Sequence, residues 1–493
     1  MAKNIREFLT GDRYSGLLLV ILLLYGCGLL ALRLVLATSS LPETGGVSIN
    51  VLYGIVRVIN GGPLYTDPEQ PPFAIIQYMP LHFQVIRFLS YVLGINGDTG
   101  GIMILNRMFC LATDLLTAFL LGRQLRRKFG LSLIPAIILP TLYFCCIPAI
   151  IFGRADNLYL LFFLLSIIQI IRTDNDSEGR EAILLAGLFT ALALATKQTG
   201  IFLAFFILFY LIFIRRAWKD VLAYSIMSVL TFASLIAMMK SGEWHDMKLN
   251  IVDGIRNGIN PNWFAEVILK NFFLKFSYLI ALGFLTGIIL LQRRGQNRDV
   301  FLGMGIFYYF FVAGITSFKA GSGPNYFLEF ILLTLLGTGW LIAHHRYQVR
   351  PFIPMAFVLV PFFIIATAND KGWGDLPNLK KTRLDGNNAQ RVAGYIKHKL
   401  GQDEWVLTTF HKQSTINLRL SDKTLFPTRE VALGFCKPMG VFHFDAFKSQ
   451  LEQGKIRYVI DKKGYFPDRF MDIPLEGFKA DTVIGNYAVY ELK

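Results

Sequence analysis

Charge is scarce in this 493-residue chain. Asp, Glu, Lys and Arg make up 17% of it, against 54% hydrophobic and 14% aromatic residues. So few ionised groups cannot cover the surface of a soluble protein of this length. Cysteine is scarce too. Of five, Cys27, Cys110, Cys145 and Cys146 lie inside apolar runs and Cys436 stands alone near the C-terminal end. That excludes a disulfide framework, and no CxxC spacing offers a metal site. Internal repeats, low-complexity tracts and a Gly-rich nucleotide fingerprint are all missing. Acidic residues are outnumbered 34 to 49 by basic ones, a formal charge of +15. The excess is not spread as a nucleic-acid-binding face. It falls in short clusters between apolar blocks: Arg123, Arg126, Arg127 and Lys128; Arg215, Arg216 and Lys219; Arg293, Arg294 and Arg298; Arg346 and Arg350.

What is present in abundance is the long apolar block. A bilayer core about 30 Å thick takes about 20 apolar residues as a helix, and backbone in lipid must satisfy its own hydrogen bonds. Spans are expected at 15–37, 101–121, 131–152, 157–171, 181–196, 200–214, 220–239, 275–292, 299–318, 325–343 and 351–367. The basic clusters follow every second span, as cytoplasmic loops do. The N-terminus is then cytoplasmic and the C-terminal part external, in a multi-pass protein of a cell membrane, with a bacterial inner membrane the expected site. The first block, behind Lys3, Arg6 and Arg13, is too long for a signal-peptide core and reads as an uncleaved span.

Two external loops are long, 38–100 and 240–274. In the first, Val47–Ile59 and Pro80–Leu93 read as helices lying in the membrane interface, joined by the turn-rich segment GGPLYTDPEQPP. Beyond Ala368 charges return. Asn387–Leu400 and Phe444–Glu452 read as helices; Trp405–Thr409, Arg457–Ile460 and Thr482–Leu492 read as strands. The expected fold is an all-α polytopic membrane domain over 1–368, carrying external loop 38–100, and a small external α/β domain over 369–493.

Polar residues gather at the external span ends. GRADN (153–157) places Arg154 and Asp156 at the membrane surface; Asp156 or Asn157 also suits a helix cap. TKQTG (196–200) exposes Lys197 and Gln198, where a lysine at a helix end commonly snorkels. KAGSGPNY (319–326) offers Lys319, backbone amides for an anion, Asn325 and Tyr326, and one turn further Glu329 is an intramembrane carboxylate. Asp114, deep in the second span, suits a structural pairing. The first loop adds Glu43, Asp67 and Glu69. The second adds His245, Asp246, Asp253 and Arg256, and His245 permits a divalent metal without requiring one. Tyr65 and Tyr78 are placed to stack on a sugar or to anchor the interface.

Five ordered segments carry a resemblance: NVLYGIVRVINGGPLY (50–65), YMPLHF (78–83), GRADNLYLL (153–161), ATKQTGIFL (195–203) and KAGSGPNYFLE (319–329). Together they are similar to the GT-C superfamily of membrane glycosyltransferases, near the bacterial protein O-mannosyltransferases and aminoarabinose transferases. The resemblance implies transfer of a sugar from a polyprenyl-phosphate or diphosphate lipid to a glycan, lipid or protein acceptor on the external face, with inversion. A first-loop carboxylate would act as general base and cations would meet the leaving phosphate. Relatives often carry an acid just before the NVL-like segment, where this chain has Ser48; Glu43 lies five residues earlier and is the candidate base. By motif, Asp156 is the second catalytic acid, with Arg154 beside it. Lys197 and Lys319 are then the candidates for the lipid phosphate, and Asn325, Tyr326 and Glu329 line the cavity, with Gln198 and Tyr78 as further substrate-binding candidates. No cofactor is required on this reading. The competing expectation is a transporter or lipid flippase, which favours inverted repeats and midplane polar groups; neither feature is visible. A non-catalytic scaffold is the third.

Overall fold

The computed structural model describes residues 12–39, 46–147, 153–173, 179–237, 239, 243–293, 296–344, 364, 379–409 and 414–493. Glu43 and, apart from Ile364, the expected span 351–367 lie outside them. The chain packs as two compact units, each discontinuous in sequence. One comprises Met1–Leu34, Cys110–Ile236 and Ile259–Trp373; the other comprises Val35–Phe109, Ala237–Gly258 and Gly374–Lys493.

The first unit is helical. Helices stand where apolar blocks predicted them: Asp12–Thr38, Thr99–Arg123, Leu133–Cys146, Asp156–Arg172, Gly179–Thr196, Gly200–Phe209, Trp218–Ala237, Ser277–Arg293, Asn297–Thr316 and Leu328–His344. By length and composition six helices of the described residues can cross a bilayer, or seven if the pair Pro261–Phe273 and Ser277–Arg293, bent by 76°, is one span. The helix Leu328–His344 is the centre of the unit, buried from Leu328 to Ile342. Trp218–Ala237 is peripheral and turns Trp218, Leu222, Ile226 and Leu230 outward, a stripe at helical spacing suited to lipid.

The second unit holds a four-stranded sheet. Its strands are β1 (Trp405–Thr408), β2 (Ile456–Lys462), β5 (Phe478–Ile484) and β6 (Tyr487–Leu492), in the order β1-β2-β6-β5; β3 (Arg469–Phe470) and β4 (Ile473–Pro474) form a separate ribbon. β1 and β2 are parallel, and β6 is antiparallel to both β2 and β5. Alternation along the strands feeds two cores. Val406, Tyr458, Ile460 and Val489 face Ala389, Val392, Ala393 and Ile396 of the helix Leu379–Lys397. Leu407 and Val459 face the other way, into an aromatic core of Phe426, Phe444, Phe447 and Phe470.

That second core also contains Phe73 and Ile75 from the first long loop. Phe73 N–H donates to the Leu425 carbonyl at 2.8 Å, and its ring stacks on Phe426 with centroids 4.8 Å apart. Ile75 N–H donates to Thr428 Oγ1 at 2.8 Å, and Ile76 N–H to Asn250 Oδ1 at 2.7 Å. The loop is therefore a strap built into the sheet's core. Its preceding helix, Gly46–Ile59, differs from expectation. Residues Val51–Ile59 are buried on every face, so this helix is core and does not lie in an interface. Arg57 is buried within it and donates to Thr66 Oγ1 at 3.0 Å. The helix Leu81–Val92 does keep an exposed apolar edge of Phe88, Tyr91 and Val92.

Candidate active site

Three connections of the first unit meet at one buried carboxylate. The GRADN turn closes through Gly153, whose φ of +106° only glycine adopts readily. The Cys110 thiol donates to the Arg154 carbonyl at 3.4 Å. Asp156 then opens its helix. Its Oδ1 accepts from Lys197 Nζ at 2.7 Å and from Asn325 Nδ2 at 2.8 Å. Asp156, Lys197 and Asn325 are all buried. Lys197 Nζ also lies 5.2 Å from the Tyr326 ring centroid and 5.6 Å from that of Tyr159, and aromatic faces of this kind hold a desolvated cation. Arg154 precedes Asp156 by two residues in the same turn. Glu329 is buried one turn beyond Asn325. The centre thus unites Asp156, Arg154, Lys197, Asn325, Tyr326 and Glu329.

The neighbouring residue serves a second network. Successive residues of an α-helix point about 100° apart, so Asn157 turns away from Lys197. Its Nδ2 donates to Asp114 Oδ1 at 2.7 Å and Oδ2 at 2.8 Å. Arg33 pairs with the same carboxylate and lies over the Phe144 ring, 5.1 Å from its centroid. The structural pairing expected for Asp114 is present. Neither Asp156 nor Asn157 caps the helix: the N-cap is Ala155, without a side-chain cap bond. Sequence reasoning passed over Arg33 and Tyr159, although a lone arginine inside a long apolar run is a visible signal.

The other candidates have surroundings of their own. Gln198 is half-buried beside Lys197. Lys319 lies on the turn after Asn297–Thr316, bridged to Ile259. In the second unit, Tyr65 is fully buried and donates to the Tyr78 carbonyl at 2.7 Å; Tyr78 is buried as well. Burial makes Tyr65 a brace, not an interface anchor. Glu69 accepts from His443 N–H at 2.7 Å and Phe444 N–H at 2.6 Å, a structural clasp. Asp67 accepts from Glu69 N–H at 2.9 Å. His245 is exposed, and among the described residues no three His, Cys, Asp or Glu side chains group as metal ligands.

Similarity to known proteins bears on the fold. Residues 71–247 match glycosyltransferase family 87. No curated protein matches the sequence. Among solved structures, ArnT from Cupriavidus metallidurans bound to undecaprenyl phosphate is similar with a TM-score of 0.62 and 14% identity, over 95% of this chain and 97% of that one. The oligosaccharyltransferase of Archaeoglobus fulgidus is similar with a TM-score of 0.57 and 12% identity, over 92% of this chain and 70% of that one. The fold is therefore that of the GT-C membrane glycosyltransferases, and the chain is a multi-pass membrane protein with a small C-terminal sheet domain.

Proposed function

We propose that the protein transfers a sugar from a polyprenyl-phosphate donor to an acceptor hydroxyl on the external face of the membrane, and that the Asp156–Lys197–Asn325 centre handles the donor phosphate. The observation that carries this reading is a buried carboxylate, Asp156, that accepts from a buried lysine and from an amide of two other connections, in a GT-C fold. Supporting it, a solved structure of similar fold, ArnT, holds undecaprenyl phosphate.

In the proposed reaction the acceptor oxygen attacks the anomeric carbon as the bond from that carbon to the phosphate oxygen breaks. Configuration inverts, and the leaving phosphate gains negative charge. Lys197 and Arg154 stabilise that charge, which is where preorganised cations contribute most. An ammonium 2.7 Å away makes Asp156 a weak base. Its part is to hold Lys197 and Asn325 in position, while Glu43 takes the acceptor proton. Lys319, Tyr326 and Glu329 complete the donor cavity of this proposal, with Gln198 as a further contact.

The test is sugar release and transfer from radiolabelled polyprenyl-phosphate donors by the purified full-length protein. Asp156→Asn and Lys197→Met should each lower turnover by about 100-fold or more. The double variant removes both buried charges, so it should unfold like wild type yet stay inactive. Wild-type protein that turns over no donor of a broad panel would overturn the reading.

A further inference from the structure

The first unit contains a second recess that this reaction does not use. Its cavity measures about 610 Å³ and lies among the helices Asp12–Thr38, Thr99–Arg123 and Leu133–Cys146. Leu23, Leu30, Ala118, Phe119, Ile137 and Phe144 form its wall; Gly26 and Gly122 let the helix Leu133–Cys146 pack closely, since a Cβ there would lie 3.1 Å from Thr141 and from Pro140 respectively. Leu23, Phe119 and Leu133 are exposed at the mouth, on surfaces of apolar spans that face lipid. At one end the wall becomes Arg123, Arg126 and Arg127.

All three arginines are exposed, and none forms an ion pair with a carboxylate among the described residues. Arg126 donates to the Leu131 carbonyl at 2.9 Å, which fixes its head at the rim. Arg123 lies nine residues beyond Asp114 on the same helix, roughly 13 Å along its axis. The arginines therefore sit well away from the Arg33–Asp114–Asn157 network. An alkyl-lined recess open to the bilayer, closed at one end by guanidinium groups without counter-charge, is complementary to one class of molecule. Guanidinium forks match phosphate geometry, and basic pockets between membrane helices take anionic headgroups.

We infer that this recess binds an anionic glycerophospholipid, an acyl chain along Leu23, Leu30 and Phe119 and the phosphate against Arg123, Arg126 and Arg127. The site is a lipid site separate from the proposed donor site, and it does not depend on the transferase reading.

Cys27 lines the recess and is exposed, while the other four cysteines are buried. It reports occupancy directly. Purified, delipidated full-length protein in neutral detergent is treated with a maleimide after addition of dioleoyl-phosphatidylglycerol or dioleoyl-phosphatidylcholine. Phosphatidylglycerol should slow Cys27 alkylation at least fivefold more than phosphatidylcholine, and thermal unfolding should rise with it. Arg123→Ala/Arg127→Ala should remove the difference while folding normally, since both side chains are exposed. Native mass spectrometry of the same samples should lose the retained phosphatidylglycerol adduct. Equal protection by the two lipids, or a preference that survives the double variant, overturns the inference. So does protection by inorganic phosphate alone, or displacement of phosphatidylglycerol by stoichiometric undecaprenyl phosphate, which would assign the recess to the donor.

Discussion

Arg33 and Asp114 are a buried pair of charged residue types in long, mostly apolar helices. Removing either ion from water costs several kcal/mol, and their attraction offsets this only while both are present. Arg33→Met should therefore lower stability by about 3–5 kcal/mol, because Asp114 is left buried with Asn157 alone. Adding Asp114→Leu should recover most of the loss. Thermal unfolding of the two variants in detergent checks this, and a single variant as stable as the double one would count against it. The same residues mark how far the sequence could be read. Asp114 was recognisable as a buried charge in need of a partner. Arg33 carried the same signal but was passed over, because one charge within about twenty apolar residues barely changes the mean hydropathy. Which two helices bring their charges together is information that spacing along one chain does not hold. Asp156, Lys197, Asn325, Tyr326 and Glu329 were legible as a group because each stands at a span end on the expected external side. Their common carboxylate acceptor was not.

At the level of elements, periodicity located helices and strands well and environments less well. Gly46–Ile59 has apolar residues on one face and Arg57 on the other, the pattern of an interfacial helix. Arg57 satisfies that pattern while buried, by bonding Thr66 and lying 5.9 Å from the Tyr53 ring centroid. The β5–β6 hairpin is a case where residue type and geometry agree. Its two-residue turn is Gly485–Asn486, with Gly485 at φ +64°. A Cβ on Gly485 would lie 2.2 Å from Asn388 Nδ2. Gly485→Ala combines a left-handed backbone cost of about 1–2 kcal/mol with that clash, and denaturant titration should show a loss at least that large. At the end of β2, burial pushes the Asp461 carboxyl above its usual range, opposed by the Thr409 hydroxyl and the Lys462 amide. The folded state then binds the proton more tightly than the unfolded chain does. This contribution is full below the ordinary carboxylate range and is lost as pH rises through the folded value. Asp461→Asn should flatten that decline, so its unfolding midpoint gains on wild type between pH 4 and pH 7. A constant difference across that interval would show that Asp461 is not the titrating group.

Across the whole chain, composition separates a membrane part from the segment after 368, whereas packing joins distant segments. The sheet's aromatic core includes Phe73 and Ile75, some three hundred residues upstream of the strands it serves. Each is fully buried, worth about 1.5–3 kcal/mol of transfer free energy, and their amides fill the Leu425 and Thr428 acceptors. A hydropathy profile cannot reveal this, because a short apolar run in a loop reads the same whether it faces lipid or another domain. The dependence is testable with the sheet segment alone. A fragment spanning 374–493 should fold with low cooperativity and bind a hydrophobic dye, since the Phe426–Phe444 face is uncovered. A synthetic peptide of residues 66–79 should bind it, displace the dye and sharpen the thermal transition; the same peptide with Phe73→Ala and Ile75→Ala should not. If the fragment melts cooperatively without the peptide and ignores it, Phe73 and Ile75 are a covering laid over a finished core. If the peptide completes the fold, the first loop is a structural member of the sheet domain. Substitutions in 71–77 would then destabilise the sheet domain before they touched any residue of the Asp156 centre.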